Sequence, residues 1–115
     1  MAGKVLTLYG LKKCSTCQKA EAALSDAGWE VRFHDVRDEP LSRDQITDML
    51  AVYGDKLVNR ASLTWRGMSE AERATDPVDQ LVEKPALMKR PTIAADDLHL
   101  LGWTANVKRA LGVPA

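Results

Sequence analysis

The chain has 115 residues, with 16 basic and 16 acidic side chains and a formal net charge of zero. This length predicts a single domain, 1–115, and the 45% of hydrophobic residues exclude a disordered chain. The balanced charge excludes the basic surface typical of nucleic-acid binding. The longest uncharged stretch, 98–107, is far shorter than the roughly 20 residues that span a bilayer. Because 1–11 also lacks a secretory signal pattern, we expect a soluble, monomeric, cytoplasmic protein.

The first third of the chain predicts a strand, a helix and a second strand. Residues 4–9 are rich in Val, Leu, Thr and Tyr, which is typical of a buried strand. A helical period begins at Ser15 and ends at Gly28, and 30–36 then alternates in the manner of a strand. The order predicts a βαβ unit in which the two strands are parallel.

A helical insertion is predicted over approximately 42–86. Three helix starts carry N-capping pairs: Ser42 with Gln45, Ser69 with Glu72, and Asp76 with Pro77. The first of these helices ends at Gly54 and the last ends before Pro85.

The last part of the chain predicts a β-hairpin and a helix. Two short apolar runs, 91–95 and 98–101, flank a pair of aspartates, and Thr104 can cap a helix that ends at Gly112. The whole chain therefore reads as βαβ, a helical insertion and ββα, which is an α/β fold.

The two cysteines of the chain, Cys14 and Cys17, stand three residues apart between a strand end and a helix start. The N-terminus of a helix favours an anion, and a cysteine thiolate is one. Lys12 and Lys13 would stabilise the same thiolate if they face it. We expect Cys14 to be the exposed nucleophile and Cys17, one turn later, to be the resolving thiol.

Two other interpretations of the cysteines remain open. Cys17 belongs to the apolar stripe of its helix and could be a small core residue. A zinc site would need His34 and His99 as further ligands, and these lack the spacing of zinc motifs. We therefore predict no metal and no bound cofactor.

Arg90 and Pro91 form a second feature, because a proline at the start of a strand fits a bend or a cis peptide bond. Such a rigid backbone would aim the Arg90 side chain. Arginine suits bidentate binding of oxyanions and carboxylates, so Arg60 or Arg90 near Cys14 would hold a negatively charged substrate. The alternative is that these arginines are solvated surface charges.

Four blocks together resemble a known family: Tyr9-Gly10-Leu11-Lys12-Lys13-Cys14-Ser15-Thr16-Cys17-Gln18-Lys19-Ala20, Arg32-Phe33-His34-Asp35, Leu57-Val58-Asn59-Arg60 with Thr64-Trp65-Arg66, and Lys89-Arg90-Pro91. The chain resembles the arsenate reductase-related ArsC family, and most closely its YffB and Spx branch. The resemblance implies a thioredoxin-like (glutaredoxin-like) fold, in which a four-stranded mixed sheet is interrupted by the helical insertion. It also implies that Cys14 is the reactive cysteine and Pro91 the cis-proline.

The resemblance implies two functions of different classes. The first is a glutathione-dependent, arsenate reductase-like thiol oxidoreductase, with glutaredoxin as a partner and with Arg60 and Arg90 holding an oxyanion or a mixed-disulfide substrate. The arginine that such reductases carry after the last strand is absent from 98–103. The second is an Spx-like regulator that binds the RNA polymerase alpha subunit through a Cys14–Cys17 disulfide switch.

Overall fold

A computed structural model describes residues 4–114, and its four strands form one mixed sheet. The strands are β1 (Val5–Gly10), β2 (Glu30–Asp35), β3 (Thr92–Ala95) and β4 (Leu98–Leu101). Their spatial order is β2-β1-β3-β4, with β1 parallel to β2 and antiparallel to β3, and with β4 antiparallel to β3. The predicted βαβ unit, hairpin and α/β fold class are confirmed.

Six α-helices lie within residues 4–114. They are α1 (Ser15–Asp26), α2 (Arg43–Tyr53), α3 (Leu63–Arg66), α4 (Glu70–Arg73), α5 (Pro77–Glu83) and α6 (Ala105–Ala110). The capping boxes at Ser42 and Ser69 are both formed, as the sequence predicted. The short helix α3, which begins after the N-cap Ser62, was not predicted, because four residues carry too little periodicity to show a helix.

One hydrophobic core fills the space between the sheet and the helices α1 and α6. Leu6, Leu8 and Ile93 point to the same face of the sheet and are at most 1% exposed. They pack against Leu24 of α1 and against Leu111, which directly follows α6. Each such side chain contributes roughly 1.5–3 kcal/mol to stability when fully buried. This core holds α1, and therefore the cysteine pair, against the end of β1.

A second core belongs to the helical insertion. Its fully buried members include Leu57 and Leu87, which lie in two short 3-10 turns, Gly54–Leu57 and Pro85–Leu87. A backbone hydrogen bond from Lys89 N to Leu57 O, at 2.8 Å, joins the segments that follow these turns. The insertion is thereby held beside the segment that leads into β3.

A half-buried tyrosine also joins the insertion to the sheet. The hydroxyl of Tyr53, at the end of α2, donates a hydrogen bond of 2.6 Å to the carbonyl of Ile93 in β3. Burial raises the pKa of Tyr53 to about 12, and the hydroxyl therefore keeps its proton. Over residues 4–114, none of the helices has the length and apolar character needed to cross a membrane.

Candidate active site

The loop between β1 and α1 places Cys14 at the N-cap of α1. Its backbone is extended, with φ −80° and ψ 116°, and its sulfur accepts a hydrogen bond from Cys17 N at 3.4 Å. Serine, threonine, aspartate and asparagine usually fill this position, because an oxygen there satisfies a free N–H of the first turn. In this chain a half-buried sulfur takes the same role, which favours its anionic form.

The pKa of Cys14 reflects opposing effects. Partial burial raises the pKa of this thiol, but hydrogen bonds from the Cys17 backbone N–H and thiol, with the charge of Arg90, outweigh burial and leave it below its ordinary value. A lowered pKa increases the fraction of thiolate near neutral pH, and the thiolate is the nucleophilic form. Cys14 therefore has the environment of a reactive cysteine.

Cys17 has the opposite environment, one helical turn later. Its side chain is completely buried and packs in the first core with Ala20 and Leu24. Burial raises the pKa of the Cys17 thiol to about 12, and the hydrogen bond and negative charge of Cys14 act in the same direction. Cys17 is thus protonated near neutral pH while Cys14 is reduced. Burial of this kind fits both a resolving thiol and a core residue.

Asp35, at the end of β2, holds the loop that carries Cys14. One carboxylate oxygen accepts from Lys12 N at 2.7 Å, and the other accepts from Arg37 N and Asp38 N at 2.8 and 3.0 Å. The N–H groups of Lys12 and Asp38 hold the pKa of Asp35 below its ordinary value, against the effect of burial. Sequence reasoning missed this role, although Asp35 shares the inward side of β2 with Val31 and Phe33, an unusual position for a charge.

Arg90 is the cation that the structure brings to the thiol pair. Its charge lowers the pKa of both Cys14 and Cys17. The Arg90–Pro91 peptide bond is cis, as the resemblance implied, and Pro91 is fully buried. The carbonyl of Pro91 accepts a hydrogen bond of 2.8 Å from Gly102 N, which fixes this segment to the end of β4.

Arg60 lies in a different place from Arg90. Its guanidinium donates to the carboxylate of Asp55 at 3.0 Å and lies 5.2 Å from the centre of the Trp65 ring. It lines an open groove of about 500 Å³, shared with Lys56, Val58, Asn59, Ala61, Lys89, Leu101 and Thr104. This groove, which we call the basic groove, borders Arg90 and Pro91 through Lys89.

Lys12 and Lys13, the two loop lysines predicted to face the thiolate, are placed differently from Arg90. The ammonium of Lys12 lies 3.5 Å from the carboxylate of Asp38, and the side chain of Lys13 is exposed. Lys56 and Lys89 were missed as site residues, because an exposed lysine carries no periodic or spacing signal. The structure therefore brings together Cys14, Cys17 and Arg90, and it places Arg60 in the basic groove.

The histidines of the zinc interpretation are engaged elsewhere. The Nε2 atom of His34 lies 2.8 Å from the carbonyl oxygen of Glu39, and the His99 ring packs edge-on against Tyr53 at 5.7 Å. Within residues 4–114, no group of three or more His, Cys, Asp or Glu side chains has the arrangement of a metal site.

Comparisons with known proteins agree with this geometry. The sequence model of the ArsC family matches residues 9–111. An uncharacterized protein of Haemophilus influenzae is 36% identical over 92% of this chain and 97% of its own. The global transcriptional regulator Spx of Listeria innocua is 29% identical over 89% of this chain and 82% of its own.

Solved structures show the same family. A YFFB protein is 27% identical with a TM-score of 0.82, and the alignment covers 92% of this chain and 97% of that one. An arsenate reductase (ArsC) related protein from Brucella melitensis is 29% identical with a TM-score of 0.77, covering 96% of both chains. The match over 9–111 and these likenesses confirm the resemblance found in the sequence. The chain belongs to the ArsC family, and this membership supports a thiol-based oxidoreductase.

Proposed function

We propose that this protein is a glutathione-dependent thiol reductase in which Cys14 is the nucleophile. One observation carries the proposal: the Cys14 sulfur caps α1, accepts the N–H of Cys17 and lies under the influence of Arg90, which together lower its pKa. Reduction of disulfides by such a thiolate needs no metal, because the sulfur itself carries the electrons.

The first step is attack of the Cys14 thiolate on a mixed disulfide between glutathione and a second thiol. A bond forms between the Cys14 sulfur and the glutathione sulfur, and the disulfide bond of the substrate breaks. The second thiol leaves with the electron pair as a thiolate and takes a proton from water. Cys14 is left oxidised as its glutathione adduct, and the substrate thiol is reduced.

The second step removes glutathione from Cys14 by one of two thiols. A second glutathione can attack the glutathione sulfur of the adduct, which releases oxidised glutathione and restores the Cys14 thiolate. Alternatively, Cys17 attacks the Cys14 sulfur, glutathione leaves as a thiolate, and two further glutathione molecules later reduce the Cys14–Cys17 disulfide. Burial is the main reason that the pKa of Cys17 is raised, and adduct formation removes the lesser contributions, the hydrogen bond and the negative charge of Cys14.

The basic groove supports glutathione as the thiol that this protein uses. Lys56, Arg60 and Lys89 line it with positive charge, and Asn59 adds an amide that can donate and accept hydrogen bonds. Glutathione carries two carboxylates, and guanidinium and ammonium groups bind carboxylates by charge-assisted hydrogen bonds. Lys89 directly precedes Arg90, whose charge acts on Cys14, and we propose that glutathione bound in this groove presents its sulfur to Cys14.

Arsenate is the second substrate class that we propose to test. An oxyanion at Cys14 would have Arg90 beside it, whereas Arg60 lies in the basic groove and no arginine occurs in 98–103. The reacting sulfur of a disulfide is neutral, whereas arsenate brings negative charge next to the thiolate, so we rank mixed disulfides ahead of arsenate. Glutaredoxin would act as a partner in the arsenate reaction, and the reducing cytoplasm is the compartment that suits both reactions.

The direct test is NADPH consumption with glutathione, glutathione reductase and the cysteine–glutathione mixed disulfide, with Cys14→Ser as the blank. We expect turnover above the blank, and turnover equal to the blank would contradict the proposal. A parallel reaction with arsenate, in which glutaredoxin is supplied, ranks the two substrates.

A second candidate is a redox-sensing regulator that binds the RNA polymerase alpha subunit. The C-x-x-C pair and the 29% identity to the Spx regulator of Listeria innocua favour it. Its test is a binding titration of the alpha subunit with the reduced protein and with the Cys14–Cys17 disulfide form. Tight binding that changes with oxidation would support regulation, and the absence of binding to both forms would exclude it.

A further inference from the structure

The end of β1 makes an unusually close approach to the buried cysteine. Gly10 is the last residue of this strand, and a Cβ atom built on it would lie 2.5 Å from the sulfur of Cys17 and 3.3 Å from its Cβ. Glycine often serves where the backbone needs a positive φ, but within residues 4–114 the positive-φ glycines are at positions 28, 54, 102 and 112. Gly10 is therefore required for space rather than for backbone conformation.

We propose that Gly10 is a positioning residue for the thiol of Cys17. The missing Cβ leaves room in which the sulfur of Cys17 rests against the end of β1, one turn below Cys14. A methyl group at position 10 would need to stand about 1 Å further from that sulfur to reach an ordinary van der Waals distance. This inference rests on the proposed function, because the position of Cys17 matters chemically only if its thiol resolves the Cys14 adduct.

The step that depends on Gly10 is the attack of Cys17 on the glutathionylated Cys14. A sulfur–sulfur bond forms between Cys17 and Cys14, the bond between Cys14 and glutathione breaks, and glutathione leaves as a thiolate that is then protonated. Nucleophilic attack on a disulfide needs the entering sulfur in reach and in line, and a misplacement of about 1 Å can slow such a step about 100-fold. Attack by Cys14 on the mixed disulfide depends on Gly10 only through the hydrogen bond from the Cys17 thiol, while the backbone N–H of Cys17 still caps the Cys14 sulfur.

The experiment follows glutathione on Cys14 by intact mass after one turnover of the mixed disulfide. We expect the adduct to persist about 100-fold longer in Gly10→Ala than in the wild type, while the alkylation rate of Cys14 falls far less, because the Cys17 N–H still donates to its sulfur. Gly67→Ala is the matched control, since Gly67 also has a negative φ and its added Cβ would meet nothing closer than 3.6 Å. A folded Gly10→Ala protein that clears the adduct at the wild-type rate would overturn the inference.

A stability cycle keeps the inference testable if Gly10→Ala folds poorly or if Cys17 does not resolve. We expect Gly10→Ala to lower the Tm strongly in the protein that retains Cys17. In the Cys17→Ala background, where the sulfur is gone, the same substitution should lower the Tm much less. Equal losses in both backgrounds would show that Gly10 does not position this thiol. Adduct decay in Cys17→Ser as fast as in the wild type would instead refute the resolving role of Cys17. The Tm losses in the two backgrounds would then still show whether Gly10 positions the Cys17 thiol.

Discussion

The N-terminus of α1 and the basic groove contribute to the candidate site in different ways. At α1 the sulfur of Cys14 accepts the backbone N–H of Cys17, and Cys17 packs against a strand that ends at Gly10. In the groove, Lys56 and Arg60 come from one segment and Lys89 from another, 29 residues after Arg60, and the Arg60 guanidinium is held by Asp55 and Trp65. We infer that the first region performs the sulfur chemistry and the second selects the thiol, so that the two should fail separately on mutation.

The largest expected effect is on the first region. Cys14→Ser should reduce turnover of the glutathione mixed disulfide by at least about 1,000-fold, because serine has no nucleophile of comparable strength near neutral pH. The groove should be unaffected, so a titration with S-methylglutathione should give the same affinity as the wild type. Residual activity within tenfold of the wild type would show that another group is the nucleophile.

Much of this first region could be predicted from the sequence, because its signals are local. The C-x-x-C spacing between a strand and a helix indicated Cys14, and the Arg90-Pro91 pair indicated a rigid turn. Capping boxes at Ser42 and Ser69 likewise identified helix starts correctly. Each signal is contained within a few neighbouring residues, whose local chemistry decides the backbone conformation.

The basic groove could not be predicted, since no local pattern records which exposed charges meet in space. The sequence suggested that Arg60 or Arg90 stands near Cys14, but only tertiary packing separates the two arginines. Asp55 and Trp65 hold Arg60 in the groove. Asp35 shows the same limit, because its three backbone partners lie in loops whose paths depend on the fold.

The second largest effect is expected at the anchor of the Cys14 loop. Asp35→Asn should lower the free energy of unfolding by about 2 kcal/mol, because the carboxylate accepts three backbone N–H groups and charged acceptors make the stronger bonds. Urea denaturation measures this loss. Asp38→Asn is the control, since its exposed carboxylate forms a surface ion pair with Lys12 at 3.5 Å.

The effect of Asp35 should depend on pH in a defined direction. Because the folded-state pKa of Asp35 is lowered, its contribution is complete above the ordinary carboxyl pKa of about 4 and is lost as the pH falls through the folded-state value. The difference between the wild type and Asp35→Asn should therefore shrink below about pH 4. A difference that is constant down to strongly acidic pH would contradict the hydrogen-bonded carboxylate.

A smaller effect is expected in the basic groove. Arg60→Ala should raise the KM for glutathione about tenfold, with little change in kcat, because it removes a charged contact to the bound thiol rather than to the reacting sulfur. Arg66→Ala is a matched control, since Arg66 is exposed and lies outside the groove lining. An equal change in both variants would show a general charge effect.

The smallest effect is expected from Arg90 acting through the thiolate. Arg90→Ala should slow alkylation of Cys14 near neutral pH about threefold, because loss of the positive charge lets the pKa of Cys14 rise. The rates of the two proteins should converge at high pH, where both thiols are ionised. Lys13→Ala provides the control for loss of a neighbouring positive charge. An unchanged alkylation rate in Arg90→Ala would show that Arg90 does not lower the pKa of Cys14.

The most direct measurement is transfer of glutathione to the reduced protein in a single turnover. The Cys17→Ser protein is mixed with a glutathionylated peptide near neutral pH, quenched at intervals and analysed by intact mass and peptide mapping. We expect one glutathione on Cys14, formed much faster than on a free cysteine at the same pH and released slowly. No adduct, or an adduct formed no faster than on free cysteine, would contradict an activated Cys14 thiolate at the N-cap of α1.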